Sequence, residues 1–393
     1  MSSRLIVLTL TLLLGLQPMT TDLYLPALPG LVQDLGASMA QAQLTLTALL
    51  LAFGLSQLVW GPLSDRFGRR PILLIGLLAY ALAAVGSALS QTMDQLILWR
   101  TVQGAAMGAG VMCARAIVRD LYAPARGANV MSQGLSGLGL IACVAAPLGG
   151  LVTAWFNWHA ALLVLAVFGT LTLALLSWSF QESIPHHNPH ALQPARLLAN
   201  WWMILRNPTF LAYSALSTAS YGGLFTFLAS SSFVFIQLLG YSTTQYGLFM
   251  FTNSLIYLIG TFLCRRMIKR WGVPRSVMLA ALLSLGGGCG MALLALSNWH
   301  SGWAVMLPMG AFILGHGIHQ PCGQSGAVGP FPQVAGTASA LNGFMMMLAA
   351  FAMGQWLGRH MDGTVFPLAY GLCFWGTLVA LSAWTLVRRY GHG

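Results

Sequence analysis

Runs of roughly 20 mostly apolar residues succeed one another along nearly the whole chain, and a run of that length crosses a bilayer core as a helix. Hydrocarbon offers no hydrogen bonds, so each run must satisfy its own backbone. Twelve runs can be placed, at 5–28, 43–63, 71–90, 95–117, 129–152, 159–180, 209–237, 244–264, 277–297, 302–325, 334–357 and 366–387. They are continuous rather than alternating every second residue, and each is about twice the length of a barrel strand, which excludes a β-barrel. The expected fold is an all-α membrane protein of twelve transmembrane helices. Composition points the same way: 6% of the 393 residues are charged against 57% hydrophobic, too little polar surface to coat a soluble globule.

Arg4 followed by "LIVLTLTLLLG" resembles the start of a secretory signal, but no A-x-A site follows and the hydrophobicity continues through "LYLPALPGL". An uncleaved first span is expected. With the N-terminus in the cytoplasm, nearly all of the 18 Lys and Arg residues fall in inner loops or at inner helix ends; Arg359 lies outside and Arg100 within a span. That asymmetry is the positive-inside rule, and it puts both termini in the cytoplasm. The net charge of +11 is thus a topological signal, and arginines dispersed over many short loops form no nucleic-acid patch. Cys113, Cys143, Cys264, Cys289, Cys322 and Cys373 stand singly, without a CxxC pair, and read as small packing residues.

The longest polar break divides the chain into an N-terminal six-helix bundle (1–180), a cytoplasmic linker (181–208) and a C-terminal six-helix bundle (209–393). The linker's "HHNPH" has no cysteine or acidic partner, so no metal is expected, and "ARLLANWWMIL" reads as a short interfacial helix. A repeat links the halves: Arg66-Phe67-Gly68 after the second span matches Arg270-Trp271-Gly272 after the eighth. Two repeated six-helix bundles, pseudo-two-fold related, are the architecture of a transporter that opens to each side in turn.

The segments "TTDLYLPALP", "GPLSDRFGRRP", "LWRTVQG", "ARAIVRDLYAPARG", "AAPLGG" and "PFPQVAGTASALNG" carry a further likeness. With them the chain resembles the major facilitator superfamily, and within it the twelve-span drug:proton antiporters of the Bcr/CflA type. The resemblance implies a multi-pass protein of the bacterial inner membrane that exports small amphipathic organic compounds in exchange for protons. The alternative is a proton-coupled carrier dedicated to one metabolite such as a nucleoside or sugar. Expected partners are a small-molecule substrate, protons and the lipid bilayer. No nucleic acid and no cofactor is expected beyond protons as coupling ion, and the chain is expected to act as a monomer. No HExxH, nucleophile motif, paired intramembrane aspartates or ATP-binding loop suggests an enzyme.

Charges inside a span are costly and mark function. Asp22 and Arg100 lie at similar depth in spans 1 and 4, so pairing between them is expected, directly or through water, with Gln103 one turn from Arg100 able to bond either. If Asp22 binds a proton in one orientation and favours substrate when ionised, the two ligands exchange in turn. The rival reading is a permanent salt bridge that only ties helices together. The resemblance supports both residues, although some relatives carry a further acid deeper in span 1, where this chain has Leu13, Leu14 and Gly15. In the loop after span 2, Gly61 and Gly68 are expected to turn the chain, and Asp65 to accept hydrogen bonds from arginines. The resemblance makes Asp65, Arg66, Arg69 and Arg70, with Arg119 and Asp120, a conformational latch. Pro147, Gly149 and Gly150 resemble an antiporter motif, with Ala146 in place of a glycine. Candidates for a substrate cavity are Tyr24, Tyr213, Tyr221, Phe225, Asn253, Tyr257, Asn342, Met345 and Met346, together with His316 and His319. The two histidines either serve substrate or protons or merely bond one helix to another.

Overall fold

The computed structural model describes residues 3–122, 124–184, 191–297 and 301–391; the linker histidines His186, His187 and His190 lie outside them. Every regular element among the described residues is helical. The chain divides into two compact units, Met1–Leu198 and Ala199–Gly393.

In the first unit the helices are α1 (Ser3–Asp22), α2 (Leu28–Asp34), α3 (Met39–Phe67), α4 (Arg69–Ala88), α5 (Met93–Leu121), α6 (Pro124–Trp155) and α7 (Trp158–Ser179). The first apolar run is not one straight helix. A 3₁₀ turn at Leu25–Ala27 separates α1 from α2, where Pro26 and Pro29 lack the N–H that a continuing helix would use. Side-chain caps set the later starts: Ser38 forms a capping box with Gln41, and Thr92 and Asn157 each accept the N–H three residues on. A short α8 (Pro194–Leu205) follows, on the segment read as an interfacial helix, and it straddles the division between the units. The second unit continues with α9 (Pro208–Ser232), α10 (Thr243–Leu296), α11 (Gly302–Val328), α12 (Ala335–His360) and α13 (Phe366–Leu381).

Ten stretches among the described residues are long and apolar enough to cross a membrane. The 54 residues of α10 are two helical arms that meet at Gly272, whose φ of 75° and ψ of 172° break the helix for a single residue. Gly68 plays the same part between α3 and α4, with φ 103° and ψ 157°. Two sequence expectations need correction here. The loops expected at 64–70 and 265–276 are helix on both sides of one glycine, and Gly61 lies inside α3 instead of turning the chain. The reason is electrostatic: basic side chains are favourable at a helix C-terminus, so a cluster of arginines does not end the helix that carries it. Only the residue at positive φ does, and there a glycine avoids the strain of a Cβ. The repeated Arg-aromatic-Gly pattern therefore has a backbone counterpart in each unit.

Small residues let the helices touch. A Cβ on Gly104 of α5 would collide with the Leu49 carbonyl oxygen of α3, and one on Gly149 of α6 with that of Leu23. Four of the six cysteines, single in sequence, meet as two thiol pairs: Cys264 and Cys322 at 3.8 Å, Cys289 and Cys373 at 3.7 Å. Gly104→Val is expected to cost about 1–3 kcal/mol by overpacking, read as a lower melting temperature in detergent. Gly286, where an added Cβ would meet nothing within 4 Å, should accept alanine without that loss.

Candidate functional site

Arg100 is fully buried on the face of α5 that also buries Gln103 and Gly104. Its Nη1 donates to Gln103 Oε1 at 2.9 Å and its Nη2 to the Thr20 carbonyl of α1 at 3.1 Å. The guanidinium carbon lies 4.3 Å from the Tyr24 ring centre, so the ring face carries part of the charge compensation. Around this core the Thr20 and Tyr80 hydroxyls meet at 2.6 Å, and the Tyr24 hydroxyl donates to Thr45 Oγ1 at 2.9 Å. Arg100 Nε and Gln103 Nε2 have no hydrogen-bond partner, leaving two buried donors unused within one helical turn.

The expected direct pairing of Asp22 with Arg100 is not formed. Asp22 is half-buried, and its Oδ1 accepts from the neighbouring Thr21 hydroxyl at 2.8 Å. Helix phase explains the difference: residues two apart do not share a face, and α1 turns the Thr20 side toward α4 and α5. Thr20, Tyr80 and Thr45 were not singled out from the sequence. Thr20 alone left a local signal, in the polar "TTD" that ends an otherwise apolar helix.

Ion pairs tie together the charged cluster at the Gly68 turn. Arg69 is almost wholly buried; Nη1 lies 2.6 Å from Asp65 Oδ1, and Nε donates to Asp120 Oδ2 at 2.9 Å. Arg119, largely exposed, lies 3.6 Å from Asp65 and 3.9 Å from Asp120. Arg66 is exposed over the Phe67 ring, and Arg70 donates to the Ser177 carbonyl at 3.0 Å. Sequence reading missed Glu182. Its carboxylate accepts from the backbone N–H groups of Arg69 at 2.9 Å and Arg70 at 3.0 Å, so a residue after α7 caps the start of α4. Burial works against its charge, but these bonds and those from Ile184 and Ser183 outweigh it and hold its pKa below the ordinary glutamate value.

In the second unit α9 presents Ser214, Ser217 and Ser220, spaced three apart on one face in "YSALSTAS". Ser217 donates to Asn342 Oδ1 at 2.9 Å, Ser214 to the Met345 sulfur at 3.2 Å, and Ser220 Oγ lies 2.8 Å from His316 Nδ1. The Tyr257 ring lies 5.6 Å from that of His316, and Gln320 donates to the Met346 sulfur at 3.1 Å. Tyr221 and Phe225 are buried in the same helix. Asn253 reaches the Met306 sulfur only at 3.9 Å, with Oδ1 unpartnered. His319 turns to the second arm of α10, between the Val277 carbonyl at 3.3 Å and Ser284 Oγ at 3.4 Å. Tyr213 stands apart, donating to the Gly391 carbonyl at 3.0 Å. Pro147, Gly149 and Gly150 lie within α6, where Gly149 makes the close contact with Leu23.

Residues 10–354 match the Major Facilitator Superfamily. A bicyclomycin resistance protein homolog of Haemophilus influenzae is 29% identical, over 95% of this chain and 94% of its own. Multidrug resistance protein D of Escherichia coli is 28% identical, over 98% and 97%. A chloramphenicol resistance protein of Pseudomonas aeruginosa is 31% identical, over 81% and 75%. Among solved structures, a D-xylose–proton symporter superposes with a TM-score of 0.72 at 18% identity, covering 97% of each chain, which speaks for the fold alone.

The cap on α4 has a pH signature. A carboxylate whose folded pKa is depressed contributes above its unfolded value, about 4.3, and that contribution is lost as the pH falls through the lower folded value. Hydrogen exchange at the Arg69 and Arg70 amides should therefore stay slow at neutral pH and quicken, relative to intrinsic rates, only below about pH 4. Glu182→Gln should quicken it at neutral pH; unchanged protection in that variant would remove Glu182 as the cap.

Proposed function

Because the chain belongs to the Major Facilitator Superfamily, we propose that it is a proton-coupled antiporter that exports small amphipathic organic compounds, antibiotics among them, by alternating access. The names of relatives matching almost the full chain, bicyclomycin and multidrug resistance proteins, support drug efflux over a carrier for one metabolite. On this reading the two arms of α10 count separately and α11 joins the ten apolar stretches. Twelve spans result, in two six-helix bundles joined by the 181–208 linker, in the bacterial inner membrane with both termini cytoplasmic. The working unit is a monomer.

The observation that carries the coupling scheme is Arg100, a fully buried guanidinium that has no carboxylate partner and whose Nε is unused. A buried cation without a counter-charge is costly, so it biases any nearby acid toward its ionised form. Asp22, two residues beyond the Thr20 carbonyl that Arg100 holds, is the acid in question. Ionised, it is drawn toward Arg100; protonated, it releases that attraction, and α1 can shift against α5. A substrate that prefers the ionised state and a proton that prefers the other exchange in alternation. The membrane potential adds about 2.3 kcal/mol per charge for each 100 mV. In the second unit Tyr257, His316, Asn342, Met345 and Met346 offer aromatic and pliable thioether surface suited to many shapes. The Asp65–Arg69–Asp120 cluster, with Arg119 beside it, acts as the latch that sets conformation without touching substrate.

Proteoliposomes with an imposed pH gradient test this. The wild-type protein should drive chloramphenicol or ethidium uphill, whereas Asp22→Asn, unable to ionise, should lose gradient-driven transport and show weaker substrate counterflow. Arg100→Lys keeps the charge but not the planar fork, and is expected to slow transport roughly tenfold or more. Acid-driven transport at the wild-type rate in Asp22→Asn would overturn the coupling scheme, and movement of a single sugar or nucleoside alone would overturn the drug reading.

A further inference from the structure

The two glycine turns are alike in backbone and differ in charge. Three residues before Gly68 stands Asp65; three before Gly272 stands Lys269. At the first turn Asp65, Asp120 and Glu182 offset most of the arginine charge, and of the seven acidic side chains only Asp362 belongs to the second unit. Asp362 lies in the segment between α12 and α13, hydrogen-bonded to Thr364. Arg265, Arg266, Lys269, Arg270 and Arg275 thus crowd one turn with no ion pair among the described residues. Such a cluster at a membrane edge calls for an anion from elsewhere.

A groove of about 440 Å³ lies beside this turn. Leu263, Leu279, Leu283 and Ile318 line it from both arms of α10 and from α11. Arg266 and Arg270, one helical turn apart and so on one face, also border it, next to Trp271. Leu279 is 45% exposed and Trp271 39%, so the groove is open to what surrounds the helices. The Arg270 guanidinium carbon stands 5.2 Å from the Trp271 ring centre, which orders the side chain at a depth that tryptophan favours, the headgroup layer.

We propose that this groove binds one anionic phospholipid of the leaflet at the Gly272 turn, its phosphate held by Arg266 and Arg270 and an acyl chain laid along the leucines. Two guanidiniums on one face offer several N–H donors to phosphate oxygens. A zwitterionic lipid leaves the second cation uncompensated, and free phosphate gains nothing from the apolar lining. The site requires only that the chain spans a bilayer; it is independent of proton coupling and of which compound is carried, so lipid binding and transport can fail separately.

Native mass spectrometry of the full chain, released from detergent containing equal phosphatidylglycerol and phosphatidylcholine, reads the site directly. Wild-type protein should retain phosphatidylglycerol roughly tenfold over phosphatidylcholine. The pair Arg266→Gln and Arg270→Gln should lose that preference, while Arg265→Gln with Lys269→Gln, equal in charge change but outside the groove, should keep it. Inorganic phosphate in excess should not displace the lipid. A phosphatidylglycerol carrying a diazirine on its acyl chain should label residues 263–283 of the wild-type protein, an outcome that does not depend on any variant folding. Equal retention of the two lipids, equal loss in both double variants, displacement by phosphate, or labelling spread without focus on 263–283 would each overturn the proposal.

Discussion

Nothing in a hydrocarbon layer can hydrogen-bond a peptide group or a side chain, and that poverty of partners organises this molecule. Hydroxyls are returned to their own helices: Thr20, Thr47, Thr172, Thr226 and Ser230 each donate to the carbonyl four residues back. The Trp60 indole finds the Ala105 carbonyl at 2.7 Å. Arg69, with carboxylates in reach, is almost fully satisfied, while Arg100 makes do with an amide, a carbonyl and an aromatic face. These two buried arginines of neighbouring helices thus differ in counter-charge: Arg69 lies between two carboxylates, and Arg100 bonds to neutral groups alone. Removing both Asp65 and Asp120 would strand the Arg69 cation, whereas Arg100 already stands without a carboxylate in the folded state.

What the sequence made legible follows the range of the interactions. Apolar runs are read from local composition, and the structure builds helix in each of them, broken in the first at residues 23–27. Asp65 with Arg69 is a neighbour pair at helical spacing, and Asp120 sits in a motif, so much of the charged turn could be anticipated. Glu182 could not, because it acts 113 residues from Arg69 and nothing local marks it. The direct contact of Asp22 with Arg100 is absent for another reason. Depth along two helices can be counted from sequence, but the rotation of each about its own axis is fixed by packing, and that rotation chose Thr20. The serine row of α9 was legible in principle, since spacing of three declares a face, but small hydroxyls in an apolar run are easily taken for packing.

The internal repeat shows how one backbone device can be kept while its chemistry diverges. Gly68 and Gly272 share a positive φ and a preceding aromatic residue on an arginine. In the first unit acidic side chains from three separate places in the sequence converge on the turn; in the second the cations have no ion pair among the described residues. The two turns are therefore alike in backbone and unlike in electrostatics, and exchange of one for the other would move charge without moving the chain.

A joint of one residue has a mechanical consequence. Successive Cα atoms are held about 3.8 Å apart, so neither α3 and α4 nor the two arms of α10 have any slack between them. Each pair behaves as a crank: a push along one rod is delivered at once to the next, with only the glycine's two dihedrals to take up the motion. A few extra flexible residues at either joint would act as a clutch, letting one rod slide while the other stays still.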